Sequence, residues 1–183
     1  MKLFAIILLP ALLLVLLQKV SIQQPLRAGD AVPEQILNTT LPGNHTLRDF
    51  CSPGAVVIFF SAGCWRCTGE LTNMKELQRA LGSRIQFLLI TSSNRLVAQL
   101  MIDSLGVGIP VVTDEDGSLR RAFGAYTVPA IFLVDRTGTV WQTSFSERPL
   151  EVRKRQLEEF VRFVTPATSA HHNPQGIGHD IAK

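Results

Sequence analysis

Hydrophobic residues follow two patterns along the chain, and each pattern predicts a different element. Continuous apolar runs rich in β-branched residues predict strands buried on both faces. Apolar positions three or four apart, with charged residues between them, predict amphipathic helices. The predicted strands cover residues 55–60, 85–91, 110–113, 130–134 and 139–143. The predicted helices cover residues 65–81, 94–105, 119–123 and 149–164.

The order of these elements predicts the architecture. Helices that alternate with buried strands indicate an α/β sandwich, in which a central sheet is flanked by helices. The turn Asp135-Arg136-Thr137-Gly138 joins the last two strands, so they must be antiparallel and the sheet mixed. Residues 31–50 combine turn signals with short apolar pieces, which predicts a small N-terminal β-hairpin.

Both ends of the chain differ in composition from the middle. An apolar run extends from Leu3 to Leu17, and no small-x-small cleavage site follows it. Residues 1–22 are therefore interpreted as a signal peptide or an N-terminal membrane anchor. Residues 23–28 are polar and predicted to be a linker, and residues 29–165 are predicted to form the folded domain. Residues 166–183 are small and polar, which predicts a disordered tail.

The charge pattern argues against a nucleic-acid partner. The net charge is only +3, and no basic stripe interleaved with aromatic residues is present. The basic cluster Arg153-Lys154-Arg155 falls in the last predicted helix and is interpreted as a solvated face.

The chemistry centres on cysteines, of which the chain has three. An odd number argues against a disulfide-stapled framework. Cys64 follows a buried strand at the start of a helix, where free backbone N–H groups and the helix dipole stabilise a thiolate, and Arg66 adds positive charge. Cys67 lies one turn further on and is predicted to be more buried. We therefore expect Cys64 to attack and Cys67 to resolve. Cys51 is expected to be a free thiol, in a loop or partly buried, and a regulatory or mixed-disulfide role is the alternative.

Two further positions have alternative interpretations. Glu70 is either an acceptor for the proton of Cys67 or an ordinary surface glutamate in the first turns of the helix. Pro129 is either a proline that starts a strand or a cis proline beside the cysteines. In the second case the backbone of Val128 would pair with a substrate peptide.

Several stretches together resemble one known family. They are Ala28-Gly29-Asp30-Ala31-Val32-Pro33, VVIFFSAGCWRC, Glu70, PVVTDEDG and FGAYTVPAIFLVDRTGTV. From about Gly29 to Val164 the chain resembles the membrane-anchored, exported, TlpA/ResA-like thiol-disulfide oxidoreductases. The resemblance implies a thioredoxin-like three-layer sandwich with an N-terminal β-hairpin extension.

The same resemblance implies roles for individual residues. Cys64 corresponds to the nucleophile, Cys67 to the second cysteine of the redox disulfide, Glu70 to the acid that follows and Pro129 to the cis proline. No cofactor is implied. The implied partners are protein thiol or disulfide clients, an upstream redox partner and the membrane, which the N-terminal segment contacts. The location implied is the periplasmic or extracytoplasmic side of the inner membrane. A reductase role, for example in cytochrome c or metalloprotein maturation, is expected over an oxidase role.

The chain also departs from the family pattern. Gly63 stands where an aromatic residue is usual before the first cysteine, and Trp65-Arg66 replaces a pair that often contains proline. We expect Trp65 and Arg66 to contact substrates, with Trp65 supplying the missing aromatic rim. Arg66 is expected to make the pair more oxidising.

Other function classes remain as alternatives. The main one is a metal- or haem-pathway binding module that uses the same two cysteines. A zinc site would have to be assembled from His45, Cys51, Cys64 and Cys67, whose spacing is irregular, and no metal site is expected. A peroxiredoxin-type peroxidase needs a proline seven residues before its nucleophile, and Val57 stands there.

Overall fold

The computed structural model describes residues 24–37, 43 and 45–165. Seven strands are present in this part of the chain: β1 (Ile36–Leu37), β2 (His45–Thr46), β3 (Gly54–Phe60), β4 (Gln86–Thr91), β5 (Val111–Thr113), β6 (Ala130–Asp135) and β7 (Val140–Ser144). The α-helices of the same part are α1 (Trp65–Leu81), α2 (Arg95–Leu105), α3 (Ser118–Phe123) and α4 (Leu150–Val164). Short 3₁₀-helices cover Leu47–Phe50 and Gly82–Arg84.

The strands form one mixed sheet and one small hairpin. The sheet has the order β5-β4-β3-β6-β7, and the hairpin pairs β1 with β2. Strands β3, β4 and β5 are parallel, while β6 runs antiparallel to both β3 and β7. The prediction of an α/β fold with a mixed sheet and an N-terminal hairpin is confirmed.

Element boundaries within the sheet domain agree with the prediction to one residue at each end. Local capping explains this agreement. The Asn94 side chain accepts a hydrogen bond from the Leu96 N–H at the start of α2. Gly106 ends that helix with φ of +59°, a conformation that glycine adopts without a steric penalty.

The central strand β3 divides the core in two. All seven of its residues are buried, and alternate side chains point to opposite faces of the sheet. Val56, Ile58 and Phe60 join a cluster built from α1, α2 and α4. Ala55, Val57 and Phe59 join a second cluster that includes α3, the 3₁₀-helix before β3 and Leu37 of the hairpin. The molecule therefore has the three layers predicted for it.

The structure describes only part of the segments that flank the sheet domain. Contacts with the domain begin before the boundary predicted at Gly29, because the Leu26 N–H donates to the Phe123 carbonyl at 3.0 Å. The predicted signal or anchor in residues 1–22 and the predicted tail in residues 166–183 lie outside the described residues. Among the residues that are described, no helix has the length and apolar character needed to cross a membrane.

Candidate active site

The two cysteines of the C-x-x-C stretch occupy the junction between β3 and α1. Cys64 is the N-cap of α1, and Cys67 lies in the first turn of that helix. The two residues form a disulfide whose Cα atoms are 5.2 Å apart. The Cys67 N–H also donates to Cys64 Sγ at 3.2 Å. A backbone donor of the helix N-terminus therefore points at the sulfur of Cys64, as the sequence predicts.

Exposure differs sharply along this stretch. Cys64 is partly exposed, while Cys67 has no exposed surface. Trp65 between them is 74% exposed, which is the largest exposure among the bulky hydrophobic residues of the described chain. The Arg66 guanidinium lies over the Trp65 ring, 5.1 Å from its centroid. An aromatic and cationic surface thus stands beside Cys64, the partly exposed cysteine of the pair.

The loop before β6 completes this edge of the sheet. The Val128–Pro129 peptide bond is cis, which is the geometry that the family resemblance implies for Pro129. The carbonyl oxygen of Val128 lies 3.9 Å from Cys64 Sγ. Residues 64 and 128 are far apart in sequence, and they meet because β6 pairs with β3 and starts where β3 ends, with Ala130 opposite Phe59.

Glu70 is buried in α1, three residues after Cys67, and this excludes the surface alternative for it. Its side chain has no exposed surface and forms a salt bridge with Arg153, with 2.7 Å between Oε1 and Nε. The other carboxylate oxygen accepts a hydrogen bond from the Arg148 backbone N–H at 3.0 Å. Both oxygens therefore have a donor, one of them from a cation.

The prediction of a solvated basic cluster at residues 153–155 is wrong for its first member. Arg153 is fully buried, whereas Lys154 and Arg155 are exposed. The periodicity of α4 carries the signal that was missed, since Arg153 falls on the same helical stripe as Leu157 and Phe160. A charged residue on an apolar stripe requires a buried partner of opposite charge. The pattern of α4 does not indicate which acidic residue is that partner, because Glu70 lies on another helix.

Cys51 lies at the other end of β3, away from the pair. It is a free thiol, as the sequence predicts, but it is fully rather than partly buried, and its Sγ donates to the Leu47 carbonyl at 3.3 Å. Burial raises the pKa of Cys51 from 9.0 to about 11, and the nearby Asp135 charge adds to that rise. Seven residues of extended strand separate the two ends by roughly 20 Å. The zinc site considered from His45, Cys51, Cys64 and Cys67 is therefore not assembled.

A cavity of about 290 Å³ opens beside Val128 and the end of β3, on the side of the sheet that carries α3. Ser61, Ser93, Arg120 and Val128 are among its lining residues. The Arg120 side chain is already bonded to the carbonyls of Ala125 and Tyr126, so it supports the loop that holds Val128.

Comparison with known proteins places this geometry in a family. The profile of the Redoxin family matches residues 27–159. The chain belongs to the Redoxin family. It is therefore an oxidoreductase, and the Cys64–Cys67 pair makes its chemistry a thiol-disulfide exchange. The predicted resemblance to TlpA/ResA-like proteins and the predicted thioredoxin fold are both confirmed.

Individual relatives agree with this assignment. The thiol-disulfide oxidoreductase ResA of Bacillus cereus is 26% identical over 147 residues, which cover 79% of this chain and 82% of ResA. Among solved structures, a thiol:disulfide interchange protein from Bacteroides sp. has a TM-score of 0.66 at 20% identity and covers 80% of this chain and 96% of its own. The peroxidoxin BcpB from Mycobacterium tuberculosis has a TM-score of 0.64 at 18% identity, with coverage of 76% and 99%. Since these two structures share the fold but differ in name, the fold alone does not separate the chemistries.

Proposed function

We propose that the protein exchanges the Cys64–Cys67 dithiol and disulfide with cysteines of protein clients outside the cytoplasm, and that it acts there as a reductase. One observation carries the proposal. A partly exposed cysteine caps the N-terminus of a helix and is disulfide-bonded to a fully buried cysteine one turn later. An exposed and electrostatically favoured thiolate beside a protected second thiol is the arrangement that two-step exchange needs.

The proposed reaction has two displacements. The Cys64 thiolate attacks one sulfur of a client disulfide, forming a mixed disulfide and releasing the other client sulfur as a thiolate. The Cys67 thiolate then attacks Cys64 Sγ, which forms the Cys64–Cys67 disulfide and releases the second client sulfur. Two electrons pass from the protein dithiol to the client, and the released client thiolates take up protons.

The roles of the two cysteines follow from their surroundings. The Cys67 N–H that points at Cys64 Sγ would stabilise negative charge on that sulfur, and partial exposure lets a client disulfide approach it. Cys67 has no exposed surface, so a client disulfide meets the sulfur of Cys64 and not that of Cys67. We therefore assign attack to Cys64 and resolution to Cys67.

The client is proposed to bind along the surface around Cys64. The Val128 backbone is close enough to Cys64 for an extended client segment to lie against both, with Pro129 fixing the course of the chain behind them. Trp65 and Arg66 are proposed to contact the client on the opposite side of Cys64. Glu70 is proposed to accept the proton of Cys67 during the second displacement.

The location is proposed from the N-terminal run of apolar residues, which suits export with or without retention as a membrane anchor. Protease accessibility in intact and lysed cells, together with fractionation, tests this part. A protein that is protected in intact cells and released with the cytoplasmic fraction would contradict it.

A trapping experiment tests the exchange itself. Cys67→Ser should hold client proteins on Cys64 as mixed disulfides that mass spectrometry identifies, while Cys64→Ser should hold none. Equal trapping by both variants would overturn the assignment of roles. Failure of the dithiothreitol-reduced wild type to reduce any disulfide substrate would overturn the exchange function and favour the metal- or haem-pathway binding module.

A further inference from the structure

The buried ion pair between Glu70 and Arg153 joins the helix of the cysteines to the last helix of the fold. We propose that Arg153 is a positioning residue for the second displacement, holding Glu70 as a charged proton acceptor for Cys67. This inference rests on the proposed function. It adds a residue 83 positions downstream of Glu70, which the sequence pattern assigned to the solvent.

The contacts around Arg153 fix both its position and that of Glu70. Besides its bond to Glu70, the guanidinium donates to the Ser146 carbonyl at 3.3 Å and to the side chain of Gln156. The Arg148 N–H that reaches Glu70 belongs to the same loop as Ser146. The loop before α4 and the helix itself therefore hold the Glu70 carboxylate from two directions.

Charge balance explains why a cation is needed at this place. A carboxylate without a partner in a fully buried site pays a large desolvation cost and takes up a proton instead. Such a protonated group could not accept the proton of Cys67. With Arg153 present, the group of Cys67 thiol, Glu70 carboxylate and guanidinium is neutral. Moving the proton from Cys67 to Glu70 leaves that sum unchanged, so the transfer does not create a net charge in the buried site.

Other charged groups near Glu70 do not supply this compensation. Arg66 lies four residues earlier on α1, but its guanidinium stacks on Trp65 at the surface. Glu147 is negative, and its carboxylate lies against Gly69. Arg148 contributes its backbone N–H, and its side chain is exposed. In the described part of the chain, Arg153 is the cation that bonds the Glu70 carboxylate.

Ellman's reagent separates the two displacements in one experiment. One equivalent added to the reduced full chain releases a first thionitrobenzoate when Cys64 attacks. It releases a second when Cys67 resolves the mixed disulfide on Cys64. A Cys51→Ser background leaves Cys64 and Cys67 as the only thiols. The rates of both releases are measured between pH 6 and pH 9.5, and thermal unfolding checks that each variant is folded.

Two substitutions separate the charge of Arg153 from its hydrogen bond. Arg153→Gln keeps a donor but removes the charge, and should slow the second release by roughly 100-fold at pH 7, the lower end of the range that proton acceptors contribute. The deficit should shrink as pH rises, because hydroxide then removes the proton of Cys67. Arg153→Lys keeps the charge but loses the planar fork of donors, so its second release should fall by no more than about tenfold from that of the parent. Arg155→Gln removes an exposed charge from the same helix and is the matched control, with no change in either release. The first release should be unchanged in all variants.

A double variant tests whether Arg153 acts through Glu70. Glu70→Gln should slow the second release as Arg153→Gln does, and adding Arg153→Gln to it should cost less than about twofold more. A parental second release in Arg153→Gln, or full additivity of the two changes, would overturn the proposal. If Arg153→Gln does not fold, Arg153→Lys and Glu70→Gln provide the test. The proposal is overturned if the second release of folded Arg153→Lys is slowed by about 100-fold, or if that of Glu70→Gln is unchanged. It is supported if the second release is largely kept in Arg153→Lys and slowed in Glu70→Gln. If the Cys51→Ser protein, which is the parent of these variants, shows no second release at all, the result contradicts the proposed function rather than the role of Arg153.

Discussion

A cysteine lies beyond each end of strand β3, and each of the two adjoins a helix. The two cysteines differ in exposure and in the backbone group that their sulfur contacts. Cys51 follows a 3₁₀-helix, and its Sγ donates to the Leu47 carbonyl of that helix. Cys64 precedes α1, and its Sγ accepts from the Cys67 N–H of that helix. A carbonyl disfavours negative charge on sulfur and an N–H favours it. The polarity of the helix end, together with exposure, therefore separates the inert thiol from the proposed nucleophile.

The largest expected effect comes from removing each of these cysteines in turn. Cys64→Ser should lower the rate of disulfide reduction by at least about 1,000-fold, because the proposed nucleophile is lost. Cys51→Ser, the matched control at the other end of the strand, should leave the rate unchanged. An insulin-reduction assay with dithiothreitol measures both. A large loss in Cys51→Ser with intact folding would break the comparison.

Alkylation rates sharpen the same contrast. The pKa of Cys51 rises from 9.0 to about 11, so at pH 7 its thiolate fraction is about 100-fold below that of an ordinary cysteine. Iodoacetamide should label Cys64 of the reduced native protein at pH 7 long before Cys51, with mass spectrometry locating the label. Denaturant should abolish the difference. Equal labelling of both in the native state would contradict the assignment.

The same thiol predicts a dependence of stability on pH. Below pH 9 Cys51 is protonated in both the folded and the unfolded chain. Between pH 9 and about 11 the unfolded chain loses that proton while the folded chain keeps it, so this contribution to stability falls as pH rises. Urea midpoints of the oxidised wild type and of Cys51→Ala should therefore converge between pH 8 and pH 10.5. A constant gap across this range would show that burial does not govern the thiol.

The smallest effect is expected at Arg66. Its charge favours the thiolate of Cys64 and so the reduced state, but it is exposed and stacked on Trp65, where solvent screens it. Arg66→Ala should lower the reduction potential by up to about 15 mV, about a threefold change in the exchange equilibrium. Titration against glutathione with thiol alkylation measures this. A wild-type potential equal to or below that of the variant would be the contrary result.

Periodicity predicts an element correctly where all the signals that define it are local. The helix at residues 65–81 was predicted with both ends correct, because an apolar stripe, a strand before it and Gly82 after it all act locally. The positions of Cys64 and Cys67 on that helix follow from the same local signals. In contrast, the bounds of α4 agree with the prediction to one residue, but Arg153 on that helix is buried where the sequence predicts exposure to solvent.

The sequence by itself determined the order of strands and helices, the cysteine pair at a helix N-terminus and the family. The elements and the cysteine pair depend on residues that are neighbours in the chain, where spacing and capping fix the geometry, and the family follows from several such stretches taken together. Only the tertiary structure decided that Val128 lies beside Cys64, that Cys51 is sealed at the far end of β3 and that Glu70 is paired with Arg153. Each of these depends on elements distant in sequence that pack together, and the energy of a buried charge depends on what packs against it.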